Sequence, residues 1–231
     1  DAVDLAVHEG EIVGLIGPNG SGKTTLFNCI AGYYRPDAGR LTFRGQSLIG
    51  RPPDAICRLG IARTFQLTRT FADLSVVQNV AVGVLYGRAG IQRVGPALAE
   101  ARGLLDYVGL GGVADARVGA LTLAQRKRLE LARALATRPR LLLLDESLAG
   151  LNPAEVAAAV ELLRRLRTEL GLTLVIVEHL MQVIMGLCDR VIVLDAGRKI
   201  ADGPPAAVAQ EPAVRQAYLG TRAARAARGP G

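Results

Sequence analysis

Two stretches of this sequence carry the groups that phosphate chemistry requires. Gly17-Pro18-Asn19-Gly20-Ser21-Gly22-Lys23-Thr24-Thr25 fits the pattern G-x-x-x-x-G-K-[ST]. Its glycines let backbone amides turn inward around phosphate oxygens, Lys23 can reach the β and γ phosphates, and the Thr24 hydroxyl can ligate Mg²⁺. Far along the chain, Leu141-Leu142-Leu143-Leu144-Asp145-Glu146 is an apolar run that delivers two carboxylates at its end. There Asp145 would hold Mg²⁺ through water, and Glu146 would orient or deprotonate an attacking water. Alone, a strand ending in Asp-Glu describes a solvated strand end; beside a phosphate loop it becomes the other half of an ATP-hydrolysing site.

Three weaker signals accompany these. Thr122 and Gln125 have the spacing of a capping box at a helix start, and a capped N-terminus with free amides is also an anion site. Gln66 ends a predicted strand, and His179 directly follows another, so each is placed to project from a sheet edge. Either residue alone would be structural. Their company is what points to function.

The elements that must position these residues can be read from periodicity. Val3, Leu5 and Val7 alternate as a strand, and Ile12 to Ile16 form a buried one before the glycine loop and a helix to about Ala31. A short strand is predicted over Gly39 to Gly45, a helix over Asp54 to Leu59 and a strand over Ile61 to Phe65. Between Gln66 and Leu121 the pattern turns helical, around Ser75 to Val84 and Pro96 to Val108. A helix over Thr122 to Ala136 follows, then strands at Leu141 to Leu144 and Leu172 to Val177 with a helix over Pro153 to Leu170 between them. That succession describes a right-handed crossover in a parallel sheet. Val191 to Leu194 and Arg198 to Ala201 flank the hairpin signal Asp195-Ala196-Gly197.

Composition narrows the function classes. The 231 residues are half hydrophobic and carry a formal charge of +7, so a core can form and a disordered chain is excluded. Three scattered cysteines and two histidines provide neither a disulfide framework nor a zinc site, which leaves a hard cation bound through oxygen. The longest uncharged stretch, Leu74 to Gly87, falls short of the ~18–20 apolar residues of a membrane span. No secretory leader is visible. Arg215, Arg222, Arg225 and Arg228 supply most of the excess charge, and such a terminus reads as solvated rather than as a nucleic-acid arm.

In order along the chain, Gly17 to Thr24, Gln66, Leu121 to Gln125, Leu141 to Glu146, Ala149 to Asn152 and His179 are similar to the Walker A, Q-loop, signature, Walker B, D-loop and switch histidine of ABC transporter ATPases. Ile61-Ala62-Arg63-Thr64-Phe65-Gln66, Ala149-Gly150-Leu151-Asn152-Pro153, and Val177-Glu178-His179 with Met181 and Met185 to Arg190 more narrowly resemble the ATPases of branched-chain amino-acid and urea-type importers. The resemblance implies an α/β fold: a P-loop NTPase core with a parallel sheet (1–66 and 139–203), N-terminal antiparallel strands, an inserted α-helical subdomain (67–138), and a C-terminal helix and basic tail (204–231). It implies ATP and Mg²⁺ as ligands, transmembrane permease subunits and a second ATPase subunit as partners, and a place on the cytoplasmic face of the membrane. Two subunits would face head to tail, each signature helix covering the other's nucleotide. Gln66 would contact Mg²⁺ and the lytic water, His179 the γ phosphate, and Asn152 would sit in the cross-dimer loop.

Two departures qualify the pattern. The family's adenine-stacking aromatic precedes the phosphate loop, yet the first aromatic here is Phe27, which is the expectation for an N-terminally shortened form. In the signature, Leu123 and Ala124 replace two glycines and Thr122 replaces serine, so side chains crowd a place where backbone must approach phosphate. Two other readings share these motifs. A DNA-repair ATPase would separate them by long coiled coils, of which there is no heptad run; a regulatory subunit that hydrolyses little differs only in its ATPase rate.

Overall fold

The computed structural model describes residues 2–64, 70–90 and 93–217. β1 (Ile12–Ile16) leads through the glycine loop into α1 (Lys23–Ile30). The hairpin β2 (Thr42–Phe43) and β3 (Gln46–Ser47), α2 (Pro53–Leu59) and β4 (Ile61–Arg63) follow. Three helices, α3 (Val76–Tyr86), α4 (Val94–Tyr107) and α5 (Leu123–Ala136), stand between β4 and β5 (Leu141–Asp145). From there α6 (Pro153–Leu170) leads to β6 (Thr173–Val177), and α7 (Met181–Leu187) to β7 (Arg190–Asp195). β8 (Arg198–Gly203) and the short α8 (Pro205–Val208) follow, and residues 212–217 are again helical.

The main sheet has the order β4-β5-β6-β1-β7-β8, parallel throughout except for the antiparallel edge strand β8. β6 therefore lies between β5 and β1, and the carboxyl ends of these three strands are neighbours. Ligand crevices of open α/β sheets lie at that edge. The central strands read as unbroken apolar runs because both faces are covered. Ile12, Ile16, Leu142, Leu144, Leu174 and Ile176 pack with the helices α3 to α7 on one face. Val13, Leu15, Leu141, Leu143, Val175 and Val177 pack with Phe27 and Ile56 on the other.

Most predicted elements are present within a residue or two. One is not: Val3, Leu5 and Val7 form no strand. Their side chains do alternate inward, half-buried against the Phe27 cluster, so the period was real. Among the described residues no strand pairs with this segment, and the Ala6 carbonyl accepts from the Arg190 guanidinium. The antiparallel strands of the N-terminal part are β2 and β3, a two-residue hairpin around Arg44 and Gly45, whose φ angles of 49° and 78° suit a tight turn between twisted strands. The predicted strand over Gly39 to Gly45 thus shrinks to its last residues and gains a partner. Ala196 and Gly197, with φ of 44° and 79°, make the same kind of turn between β7 and β8. Phe65, the predicted end of β4, lies outside the described residues.

Candidate nucleotide site

The loop after β1 can exist only with glycine at its entrance. At Gly17 φ is 152°, and a Cβ there would stand 2.1 Å from the Leu194 carbonyl oxygen. Gly22, the left-handed residue that opens α1 with φ 103°, contributes no side chain to cap that helix, so the first-turn amides of α1 have no side-chain acceptor at that position. Pro18, Asn19, Gly20 and Ser21 form the turn between them. Thr24 and Thr25, the second and third residues of α1, are exposed. The loop is braced by the Gly197 amide, which donates to the Ser21 carbonyl at 3.0 Å.

Lys23 is only 7% exposed, folded into its own loop. Its Nζ donates to the Gly17 carbonyl at 2.8 Å and the Pro18 carbonyl at 2.9 Å, and reaches Ser21 Oγ at 3.4 Å. Burial lowers its pKa from the ordinary lysine value, opposed by the nearby charges of Glu146 and Asp145. The ammonium is thus held on weak neutral acceptors that phosphate oxygens can replace.

The β5–β6 register sets the opposite wall. Asp145 pairs with Val177, so Glu146 and His179 emerge side by side just beyond the ladder. His179 Nε2 lies 3.0 Å from Glu146 Oε1. Glu146 takes a left-handed φ of 48°, an uncommon conformation for a residue with a Cβ. Its amide donates to the Val177 carbonyl at 2.9 Å, and its own carbonyl accepts from Lys127 Nζ at 3.0 Å. Asp145 is 5% exposed and forms an ion pair with Arg63 at 2.8 Å.

Glu178 is buried between these residues, and its Oε1 accepts from the Leu148 amide at 2.7 Å. Burial raises its pKa above the usual carboxylate value, against the opposing hydrogen bonds of the Leu148 and His179 amides. Lys127, Arg63 and Glu178 all support the site from behind, and residue-type reasoning gave none of them a role. For Glu178 a positional signal was available, since a charged residue directly after the largely apolar β6 has little water to face.

The signature segment begins α5 as predicted. Thr122 caps it, its Oγ1 accepting from the Gln125 amide at 3.3 Å while Gln125 Oε1 accepts from the Thr122 amide at 3.0 Å. Leu123 is half exposed, and its Cδ2 would be 2.9 Å from a Cβ built on Gly150. Ala124 shares its helix face with Lys127, Arg128 and Leu131, lining a small cavity under Leu148 and Leu151. Of the two side chains expected to crowd phosphate, Leu123 is the one that protrudes. Asn152 caps α6, with Oδ1 accepting from the Glu155 amide at 3.0 Å, so its NH₂ is the group left to contact anything else. Gln66 lies outside the described residues. Phe27 is fully buried, which removes it as an adenine platform.

The donor set suits a nucleotide triphosphate with a hard cation: amides and an ammonium for phosphate, and the hydroxyl of Thr24 and carboxylate of Asp145 for the metal. Among the described residues no cluster of three His, Cys, Asp or Glu side chains could hold a metal by itself.

Comparison with known proteins leads to the same place. The family profile described as "ABC transporter" matches residues 1–149, and that described as "Branched-chain amino acid ATP-binding cassette transporter" matches residues 198–224. The high-affinity branched-chain amino acid transport ATP-binding protein LivG of Salmonella typhimurium is 40% identical over 230 residues, covering 94% of this chain and 90% of that one. BraF of Pseudomonas aeruginosa, similarly described, is 38% identical over 232 residues, covering 95% and 91%. The ADP conformation of an ATP-binding cassette of an ABC transporter matches with a TM-score of 0.83 at 28% identity, covering 95% of this chain and 92% of that one. With the family profile spanning more than half of the sequence, the chain belongs to the ATPases of the ABC transporter family.

Proposed function

We propose that this chain is the ATP-hydrolysing subunit of an ABC importer for branched-chain amino acids or a related small polar solute. The observation that carries the hydrolytic half is the contact of His179 with Glu146 at the edge where the Gly17 to Thr25 loop emerges. The likeness to LivG and BraF over nearly the whole chain supports the substrate half.

In this reading the amides of Gly20, Ser21, Gly22 and Lys23 and the Lys23 ammonium hold the phosphates. Thr24, Asp145 and Gln66 would hold Mg²⁺, which when bound would withdraw charge from the phosphate oxygens. Glu146 orients the attacking water and takes its proton, and His179 holds Glu146 in place through Nε2. Thr122, Ala124, Gln125 and Asn152 face the nucleotide of a second ATPase subunit, homologous or identical.

Among the described residues no helix is long and apolar enough to cross a membrane, so permease subunits would complete the machine, with this chain on the inner membrane face. A groove of about 350 Å³, lined in part by Tyr33, Cys57, Arg63 and Arg133, opens beside β4, and a permease segment seated in it would reach Arg63 and, through it, Asp145. The test is ATP-driven uptake of leucine into vesicles that hold the chain, its permeases and a binding protein. Uptake should require ATP and vanish with Lys23→Ala; robust uptake of urea in place of leucine would contradict the substrate half.

A further inference from the structure

Arg63 ends β4, and its side chain is only 7% exposed. Nη2 donates to Asp145 Oδ2 at 2.8 Å, and Nη1 donates to Asn28 Oδ1 in the body of α1. The guanidinium carbon lies 5.6 Å from the centre of the Phe27 ring, also on α1. Thr64, the next residue, accepts from the Asp145 amide through its hydroxyl at 3.3 Å. One side chain therefore joins the carboxylate at the end of β5 to the helix that starts at Lys23.

Packing alone does not explain an arginine in this place. Removing two charges from water is costly, and a well-packed apolar pair of similar volume is often as stable or more so. What a guanidinium supplies and leucine cannot is a planar fork with fixed donor directions. Here one prong holds Asp145 and another is anchored to α1. The lateral distance between Asp145 and the first turn of α1, where Thr24 sits, is thereby held by a rigid, doubly hydrogen-bonded guanidinium as well as by the sheet. Among the described residues only Oδ2 of the Asp145 carboxylate is hydrogen-bonded, so Oδ1 remains for a metal-bound water.

We propose that Arg63 is a positioning residue for the metal arm of the site, tying the Asp145 carboxylate to the phosphate-loop helix through Asn28. This rests on the reading of Asp145 as a metal-site residue. Partners that orient the groups around a metal typically account for about 10–100-fold in metal affinity, so the effect should appear in nucleotide binding that depends on the cation.

The experiment measures binding of a non-hydrolysable ATP analogue to the full chain in Mg²⁺ and in EDTA. Wild type should bind more tightly in Mg²⁺. Arg63→Met should lose about 10-fold or more of that Mg²⁺-dependent gain while its affinity in EDTA is preserved; Arg63→Lys should restore part of it, and Asn28→Ala should lose part of it. Arg63→Met retaining the full gain, or weakening binding equally in both media, would overturn the proposal. Should Arg63→Met fail to fold, an undiminished gain in Asn28→Ala would overturn it as well. A wild type with no Mg²⁺-dependent gain would instead overturn the metal-site reading on which the proposal stands.

Discussion

His179 Nε2 stands 3.0 Å from Glu146 Oε1, although the residues follow different strands. The β5–β6 register makes the contact, since Asp145 pairs with Val177 and the chain beyond each strand is only one or two residues from its partner. A histidine that fixes one carboxylate oxygen holds the whole carboxylate in one orientation. His179→Ala should therefore reduce turnover by about 100-fold or more, within the range of a positioned acid–base partner. Half exposed as it is, its loss should leave folding and ATP affinity nearly unchanged, as steady-state kinetics and nucleotide titration would check.

Lys23→Ala should weaken ATP binding by about 10-fold or more, because each charged hydrogen bond to phosphate contributes about 1.5–3 kcal/mol. The structure adds a second expectation. The wild-type ammonium is buried on the carbonyls of Gly17 and Pro18, so its removal relieves a desolvated charge and should not destabilise the nucleotide-free chain. Calorimetric binding and thermal melts together would check both halves.

The signature segment gives a comparison between neighbours. Leu123 protrudes from the start of α5, whereas Ala124 lies on the face that lines the cavity under Leu148. In a dimer with confirmed assembly, Leu123→Gly should raise the hydrolysis rate more than Ala124→Gly does. Equal rates for wild type and both variants would show that the signature does not limit turnover.

Much of the site was legible because its chemistry is local in sequence. Gly17 to Thr24 and Leu141 to Glu146 each announce themselves within a short window, and the strands that place them are apolar throughout. The pairing of His179 with Glu146 was not legible, since it depends on the order β5-β6-β1 and on register, which no local pattern encodes. Arg63, Lys127 and Glu178 were passed over for the same reason: each looks like an ordinary strand-end or helix-surface charge until the fold buries it. Val3, Leu5 and Val7 show the converse. Their alternation correctly predicted which side chains face inward, but alternation cannot reveal a missing ladder in a segment whose Ala6 carbonyl accepts from Arg190.

That same arginine supports a stability prediction. Arg190 Nε donates to Glu11 Oε1 at 2.6 Å and Nη1 to Asp202 Oδ1 at 2.7 Å, and these bonds raise its own pKa above the ordinary value despite burial. Burial alone would raise both carboxyls. The Arg190 and His8 hydrogen bonds with the Arg190 charge outweigh it at Glu11, and the Lys199 and Arg190 bonds do so at Asp202, so both carboxyls fall below their ordinary values. A lowered carboxylate pKa gives stability that is present above the unfolded value and lost as pH falls through the folded one. Arg190→Met should cost about 1–3 kcal/mol at neutral pH, less than a fully buried pair because the group is partly exposed. The deficit should shrink as pH drops below about 4, as denaturant titrations at several pH values would show.

The central claim is that Glu146 activates the water that attacks ATP, and the substitution that tests it most directly is Glu146→Gln. The amide keeps the size and the hydrogen bond to His179 but cannot take a proton. Assembled with its permeases and partner ATPase, the variant should bind ATP as wild type does, hydrolyse it at least about 100-fold more slowly, and accumulate as an ATP-bound dimer on gel filtration. Hydrolysis near the wild-type rate in that assembly would contradict the account.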